Sequence, residues 1–364
     1  MYRQIKVDEA DIDYLRILWR NGIDDEIKHY RMKRVTFGVA CSPYLAVKTL
    51  QQVALDEGHN YPLAAEKIQN DYYMDDLMSG CETKEEGLKL YNEMNELLAK
   101  GGFYLQKWTS NDHELLKEMK VSEGEGKQDR KEEEEIKENL KIKTDEIVKI
   151  VGLTWNRSDD SFRYKVEMPA LQEPATKRKI ISDISRFYDP LGWAGPSIIL
   201  SKSIIQKLWL AGLDWDDVVP SEILNEWLTY REELKVLSDI TVPRWIGIRV
   251  GDDMELHGFC DASKDAYAAV IYCRVISSNG EIRVALISAK TKVAPVKQVS
   301  IPRLELCGAV LLTCLLTEVA TVMKVDKSRL YAWTDSTVVL AWLNGHPNRW
   351  KVFVANRVSE LFPS

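Results

Sequence analysis

Long apolar runs, regularly spaced cysteines and an excess of positive charge are all missing from this sequence of 364 residues. No apolar run approaches the length that a membrane-spanning helix needs, and Met1–Gln4 leads into charge instead of a signal-peptide core. We therefore expect an intracellular protein that does not span a membrane. The six cysteines show neither CxxC spacing nor a disulfide rhythm, which predicts buried free thiols.

The net charge of −7 argues at first against a nucleic-acid partner, because phosphate binding needs a local excess of Lys and Arg. The charge is unevenly distributed, however. The segment Lys290–Arg357 holds ten Lys or Arg against four acids, whereas the acidic excess comes largely from elsewhere, including Glu132–Glu135. The sequence is therefore compatible with a locally basic surface.

Composition and periodicity indicate two or three domains, since the chain is 45% apolar and each domain can bury its own core. Residues 117–143 are rich in Glu and Lys, which predicts a charged linker, insertion or exposed helix. After them, Ile147–Trp155 and Phe162–Val166 have strand character. The period becomes helical over Lys177–Leu237, with a break at Asp189–Gly192.

The last third of the chain alternates strand and helix patterns. Three strand patterns come first: Leu256–Phe259, Ala268–Val275 and Ile282–Ser288. Pro302 then opens a long apolar helix that extends to about Met323. A further strand over Leu330–Thr334 precedes two more helical patterns. This order is an α/β layout.

Two adjacent carboxylates, Asp75 and Asp76, lie between short β-capable flanks in Asn70–Ser79, which suits the tip of a hairpin. Phosphoryl transfer to a primer hydroxyl uses two metal ions, one at the nucleophile and one at the leaving phosphate. Aspartate oxygens are ligands that Mg²⁺ prefers. A simple polar turn is an equally good interpretation of so short a motif.

Three further acids, Asp261, Glu305 and Asp335, fall on three different predicted elements. Asp261 ends a strand, Glu305 lies near the start of the long helix, and Asp335 ends the next strand. One acid on each element is an economical geometry for two-metal hydrolysis of a phosphodiester. Alternatively, Asp335 is only the N-cap of the following helix, and Glu305 only a charge favoured in a first helical turn.

Several blocks, in order, resemble the reverse transcriptase of retroelements. Tyr73–Asp76 is similar to the polymerase motif, and Val35–Tyr44 to the block that shapes the nucleotide and template site. Leu98–Trp108 resembles the next palm block, and Val151–Trp155 the primer-grip hairpin. Together with Tyr188–Gly192, these blocks look like Pol of the BEL/Pao class of LTR retrotransposons.

The resemblance continues in the last third, where the order strand-Asp, helix-Glu, strand-Asp is similar to retroviral-type RNase H. Ile301–Leu306 and Trp350–Val358 again look like BEL/Pao Pol. The resemblance implies a multidomain protein of α+β and α/β class. It would contain a partial reverse-transcriptase palm over residues 1–168, a helical thumb- or connection-like segment over 169–250, and a C-terminally truncated RNase H-like domain over 251–364.

The resemblance also assigns roles to individual residues. Five carboxylates would be catalytic and would bind two Mg²⁺ or Mn²⁺ ions: Asp75, Asp76, Asp261, Glu305 and Asp335. Eight residues would contact the substrate: Phe37, Gly38, Ser42, Pro43, Tyr73, Met74, Gly152 and Trp155. The implied partners are an RNA/DNA hybrid or primer-template and the remainder of the Pol polyprotein, and the implied location is a cytoplasmic particle or the nucleus.

The family has one more carboxylate in each centre than this sequence matches. The palm carboxylate would precede a stretch like Met1–Val7, and the RNase H carboxylate would follow the last matching block. We therefore expect a Pol fragment that does not polymerise and whose residual chemistry lies in its RNase H-like part. The alternative is a non-catalytic, degenerate or co-opted fragment that binds nucleic acid or protein. An aspartic peptidase is less favoured, because its Asp-Thr/Ser-Gly turn is missing and Asp335-Ser336 is followed by Thr337.

Overall fold

The computed structural model describes residues 1–73, 76–125, 147–150, 153–171, 173–249 and 251–361. The chain divides into two compact units, Met1–Asp145 and Glu146–Ser364. The first unit has these elements in its described residues: β1 Arg16–Trp19, β2 Lys28–Arg31, α1 Ser42–Glu57, α2 Pro62–Asn70, β3 Tyr72–Tyr73, β4 Asp76–Leu77, α3 Lys84–Lys100 and α4 His113–Glu125.

The core of the first unit forms where α1, α2 and α3 pack together. Leu90, Met94 and Leu97 recur at helical spacing on α3, so one face of this helix is buried. The Thr83 side chain caps the same helix by accepting from the Glu86 amide. Within the charged stretch 117–143, residues 117–125 belong to α4, and the rest lies outside the described residues.

The second unit contains two sheets and six helices in its described residues: β5 Ile147–Ile150, β6 Leu153–Asn156, β7 Ser161–Arg163, α5 Lys177–Ile184, α6 Gly195–Leu210, α7 Ser221–Glu233, β8 Thr241–Pro243, β9 Asp253–Ala262, β10 Ala266–Ile276, β11 Ile282–Val293, α8 Ile301–Met323, β12 Leu330–Trp333, α9 Thr337–Leu343 and α10 Val352–Leu361. One sheet has the antiparallel order β5-β6-β7-β8. The other has the order β11-β10-β9-β12, in which only β12 is parallel to its neighbour.

The first of these sheets corrects two predictions. The stretch Ile147–Trp155, predicted as one strand, is the hairpin of β5 and β6. Leu153, Thr154 and Trp155 are all buried, so β6 has no alternation of exposed and buried residues that could mark where the chain reverses. In addition, β7 pairs with β8 although three helices lie between them in the sequence. The domain boundary predicted after residue 168 therefore separates strands of one sheet, and the structure divides the chain near residue 145 instead.

The long helix α8 packs across β9 and β10. Its length and composition would allow it to cross a membrane, so the prediction that no run approaches that length is wrong. In this fold the apolar face of α8 is buried against the sheet. Leu304, Leu306 and Leu312 are almost fully buried, and each buried leucine stabilises the fold by roughly 1.5–3 kcal/mol.

The helix α6 lies against the outer strand β11 and satisfies its exposed backbone. Lys202 Nζ donates to the Thr291 carbonyl at 2.8 Å, and Gln206 Nε2 donates to the Ala294 carbonyl at 2.8 Å. Trp193 Nε1 donates to the Ile287 carbonyl at 2.9 Å, just before the helix. Covering an edge strand in this way satisfies carbonyls that the sheet leaves unpaired. The helices and the sheet are consequently parts of one unit, and the boundary predicted after residue 250 does not separate them.

This contact can be tested at Gly192, which has a φ of +76° and approaches the Ala289 carbonyl closely. A Cβ at this position would lie 1.7 Å from the carbonyl oxygen of Ala289. We expect Gly192→Ala to lower the free energy of unfolding of the second unit by about 2–5 kcal/mol, from backbone strain and overpacking together. The measurement is urea denaturation followed by circular dichroism.

The matched control is Gly280→Ala. Gly280 has a similar φ of +82°, but a Cβ there would meet no atom within 4 Å. This variant should lose only the strain of the left-handed backbone, about 1–2 kcal/mol. Equal losses in the two variants would show that the approach of Gly192 to β11 does not contribute to stability.

Candidate functional site

The predicted hairpin around the first carboxylate centre is present, but its tip is only partly described. Tyr73 pairs with Asp76 across β3 and β4, and both side chains are exposed. Met74 and Asp75 lie outside the described residues. The preceding Tyr72 packs against the core of the first unit, and burial raises the pKa of its hydroxyl. The hairpin therefore presents Tyr73 and Asp76 at the surface while Tyr72 anchors it.

The residues predicted to contact substrate in the first unit differ in accessibility. Phe37 is 72% exposed and meets Tyr2 edge to face at 5.0 Å between ring centres. Gly38 is exposed with a φ of +83°, and Pro43 is half-buried in the first turn of α1. Ser42 is buried, and its hydroxyl donates to the Thr36 carbonyl. A direct substrate contact by Ser42 is thus not available in this arrangement.

Trp155 in the second unit is also buried, contrary to its predicted role as a substrate contact. Its Nε1 donates to Asp160 Oδ1 at 3.0 Å. The guanidinium carbon of Arg244 lies 5.7 Å from the centre of the Trp155 ring. These contacts hold the turn between β6 and β7. Trp155 therefore has a structural role. Gly152, the other predicted substrate contact of this segment, lies outside the described residues.

Two carboxylates of the second centre lie at the same end of two neighbouring parallel strands. Trp333 of β12 pairs with Phe259 of β9. Asp335 and Asp261 each follow two residues after these partners, at the same end of the sheet. Both aspartate side chains are exposed. The parallel pairing of β9 with β12 therefore brings Asp261 and Asp335 to the same end of the sheet, which we call the carboxylate edge.

The third carboxylate, Glu305, comes from α8 and is held by Ser336. Its Oε2 accepts from the Ser336 hydroxyl at 2.5 Å. The same hydroxyl oxygen accepts from the Val339 amide at 3.2 Å, so that Ser336 is the N-cap of α9. The alternative interpretation of Asp335 as this cap is wrong. Glu305 is the fifth residue of α8, beyond the first turn, so a general first-turn preference does not explain its position.

The thiol of Cys260 is affected by the charges of all three carboxylates. This side chain is buried and faces α8 from β9. Its pKa is raised to about 11, chiefly by burial; a hydrogen bond with Thr334 lowers the pKa, and the charges of Asp261, Asp335 and Glu305 make smaller contributions that raise it. Sequence reasoning missed this residue. Strand alternation alone places Cys260 on the inner face, but its contact with the Trp333 carbonyl, two residues before Asp335, depends on the pairing of β9 with β12.

The expectation of buried free thiols holds only in part. All six cysteines are free, and Cys260 and Cys273 are buried. Cys307 is half-buried, whereas three are exposed: Cys41, Cys81 and Cys314. An apolar neighbourhood in the sequence does not reveal which side of a helix or turn faces solvent.

The three carboxylates approach from two sides of the sheet. Gly258 and Cys260 face α8, so the alternating residue Asp261 points to the other side. Glu305 approaches from the helix side. Across the described ranges, no group of three or more His, Cys, Asp or Glu side chains is arranged to hold a metal ion. The oxygen-only donors suit Mg²⁺ chemically.

The two histidines near the second centre have structural partners. His257 lies close to Glu255 Oε2 through Nε2, at 3.2 Å, and to Trp333 Nε1 through Nδ1, at 3.3 Å. Its ring also stacks on that of Tyr331. His346 accepts from the Asn348 amide. Both histidines thus have hydrogen-bond partners of the kind expected for structural residues.

The charges of the three carboxylates predict a site-specific change in the ionisation of the Cys260 thiol. Asp335→Asn removes one of the negative charges that disfavour the thiolate, so the pKa of Cys260 should fall from about 11. It should stay above the ordinary value, because burial is the larger cause. A pH titration of ¹³Cβ chemical shifts in cysteine-labelled protein measures this directly.

Cys273 provides the internal control for the same titration. Burial alone raises the pKa of Cys273 to about 11. Its titration should therefore be unchanged in Asp335→Asn. A Cys260 pKa that does not move, or that moves together with that of Cys273, would contradict the proposed arrangement.

Residues 176–336 match the family model of the Pao retrotransposon-like RNaseH-like domain. The match begins at the residue before α5 and ends at Ser336, so it contains the helices packed on β11 and the second carboxylate centre. The predicted resemblance to Pao-class retroelement Pol is thereby confirmed over this segment. No curated protein matches the chain.

Two solved structures are similar to the chain at low identity. One is the foamy viral protease-reverse transcriptase in complex with dsDNA, with 13% identity and a TM-score of 0.44 over 99% of this chain and 63% of that chain. The other is native Prototype Foamy Virus protease-reverse transcriptase, with 13% identity and a TM-score of 0.24 over 99% of this chain and 40% of that chain. This chain thus spans less than two thirds of the length of either protein.

Proposed function

We propose, from the match of residues 176–336 to a Pao retrotransposon-like RNaseH-like domain, that the second unit cleaves the RNA strand of an RNA/DNA hybrid. The observation that carries this proposal is the placement of Asp261 and Asp335 at the same end of two parallel strands, with Glu305 hydrogen-bonded to Ser336, the residue next to Asp335. The segment that matches the family model contains all three acids. The chain would act as a part of a larger Pol protein.

The same three carboxylates are the residues that would hold Mg²⁺ or Mn²⁺. A bound ion would make water a better nucleophile and would stabilise the leaving oxygen. The protein's own contribution is orientation. The Ser336 hydroxyl directs one oxygen of Glu305, while the parallel strands carry Asp261 and Asp335 to one edge. The exposed edge leaves both aspartates accessible to a large polyanionic substrate.

For the first unit we propose a reverse-transcriptase palm ancestry and a role in binding primer-template. The supporting observation is the β3–β4 hairpin, which pairs Tyr73 with Asp76 at the surface. Exposed Phe37 lies in the segment that resembles the block of the nucleotide and template site. Asp75 and Asp76 would be the metal ligands of this unit.

A second candidate function is hybrid binding without cleavage. The observation that favours it is the placement of Asp261 and Glu305 on opposite sides of the sheet. Among the described residues, no metal-binding group is formed as the side chains stand. Such a protein would bind nucleic acid through its cationic residues and would not depend on Asp261.

Cleavage of a labelled RNA/DNA hybrid separates the two candidates. Enzymatic function predicts Mg²⁺- or Mn²⁺-dependent cleavage that falls about 100-fold or more in Asp261→Asn, because a group that stabilises charge in the transition state is lost. Asp265→Asn, which alters an exposed acid on the following turn, should retain the activity of the unaltered chain.

Binding of the same hybrid in EDTA provides the second measurement. If the unaltered chain binds the hybrid but yields no metal-dependent product at any protein concentration, the enzymatic proposal is wrong and the binding function stands. Equal cleavage by the unaltered chain and by Asp261→Asn would also reject this carboxylate centre.

A further inference from the structure

A cluster of two arginines and one phenylalanine lies outside the carboxylate centre. The guanidinium carbon of Arg357 is 3.6 Å from the centre of the Phe353 ring, and that of Arg303 is 5.2 Å from the same centre. Arg357 Nη1 also donates to the Phe353 carbonyl at 3.1 Å. Arg303 comes from α8 and the other two residues from α10, and these helices pack together. We call these three residues the arginine clamp.

The arginine clamp differs from other arginine sites of the second unit in its lack of an ion pair among the described residues. Neither Arg303 nor Arg357 forms an ion pair within the part of the chain that the structure describes. Other arginines of the same unit do, since Arg274 pairs with Glu255. Two cations close to one ring repel each other when no anion is near. Within the described ranges, the two guanidinium groups are therefore available to pair with an added anion.

The position of Arg303 adds to this imbalance. It is the third residue of α8, where the positive end of the helix dipole disfavours a cation. Contact with an aromatic face restrains an arginine while leaving N–H donors for another partner. Two such guanidinium groups suit the oxygens of phosphate groups, which arginine binds through paired hydrogen bonds.

The arginine clamp lies on the side of the sheet that α8 covers. Tyr267 of β10 and Phe353 of the clamp both pack against the hydrophobic core that α8 shares with the sheet. Tyr267 of β10 pairs with Ala262 of β9, the neighbour of Asp261. On its other side, Tyr267 pairs with Lys292 of β11, which adds a third cation to this end of the sheet.

We propose that the arginine clamp binds the backbone phosphates of the nucleic acid that the carboxylate edge receives. The ligand class is a nucleic-acid phosphodiester, held without regard to base sequence. The proposal rests on the proposed function for the identity of this ligand. Arg303 and Arg357 belong to the segment Lys290–Arg357, in which Lys and Arg outnumber the acids.

The test is hybrid affinity as a function of salt, measured by fluorescence anisotropy in EDTA so that no cleavage occurs. In the double variant Arg303→Gln/Arg357→Gln, the slope of log K against log salt should become shallower by about two, one for each lost phosphate contact. The Kd at low salt should rise about tenfold or more, because both contacts contribute at low ionic strength.

The control double variant, Lys324→Gln/Lys327→Gln, removes the same charge beyond the other end of α8. It should leave the slope unchanged. The conservative variant Arg303→Lys/Arg357→Lys retains both charges and should keep most of the slope while losing affinity, since lysine cannot form the paired contact. A circular dichroism melt of each variant confirms that it is folded before binding is compared.

The outcomes distinguish this proposal from the proposed function. Hybrid cleavage that depends on Asp261, with an unchanged salt slope in the glutamine double variant, overturns the arginine clamp and leaves the proposed function intact. A shallower slope in a chain that never cleaves supports the clamp and rejects catalysis. An equal loss of affinity for a poly-glutamate peptide would overturn the assignment to nucleic acid.

Discussion

The close approach of α8 to β9 is the contact on which the second unit depends. A Cβ on Gly258 would lie 2.4 Å from Leu312 Cδ1, and a Cβ on Gly308 would lie 3.5 Å from the Asp261 carbonyl oxygen. Glycine at these two positions lets helix and strand backbones come together. Because Glu305 and Arg303 precede Gly308 on the same helix, this approach also fixes where the carboxylate edge and the arginine clamp lie.

Much of this arrangement could be predicted from the sequence, because it follows from local patterns. The apolar period of α8, the strand before Asp261 and the strand before Asp335 are all present near their predicted positions. The predicted strands are longer in the structure; β11, for example, continues to Val293. Cross-strand partners extend a strand beyond the run of apolar residues, and a single sequence does not show those partners.

Features set by contacts distant in sequence could not be predicted. The segment Thr334–Ser336 offers several residues that can cap a helix, and the choice of Ser336 depends on Glu305 from another element. The burial of Trp155 depends in part on Arg244, far along the chain. Likewise, the three helices look like a separate domain in sequence. The side chains of Trp193, Lys202 and Gln206 donate to backbone carbonyls of β11 and the residue after it, and a sequence pattern does not reveal backbone acceptors.

The pairing of β7 with β8 has a consequence for how the second unit assembles. Arg163 lies opposite Thr241, so this ladder closes a loop of about 80 residues. Closing the loop reduces the conformational entropy of the chain before the ladder forms any hydrogen bond. The hairpin of β6 and β7 closes a much shorter loop. Loop lengths therefore favour an order in which the helices collapse on one another first and β8 adds last. Formation of the β7–β8 ladder is thus expected only after the three helices between these strands have folded.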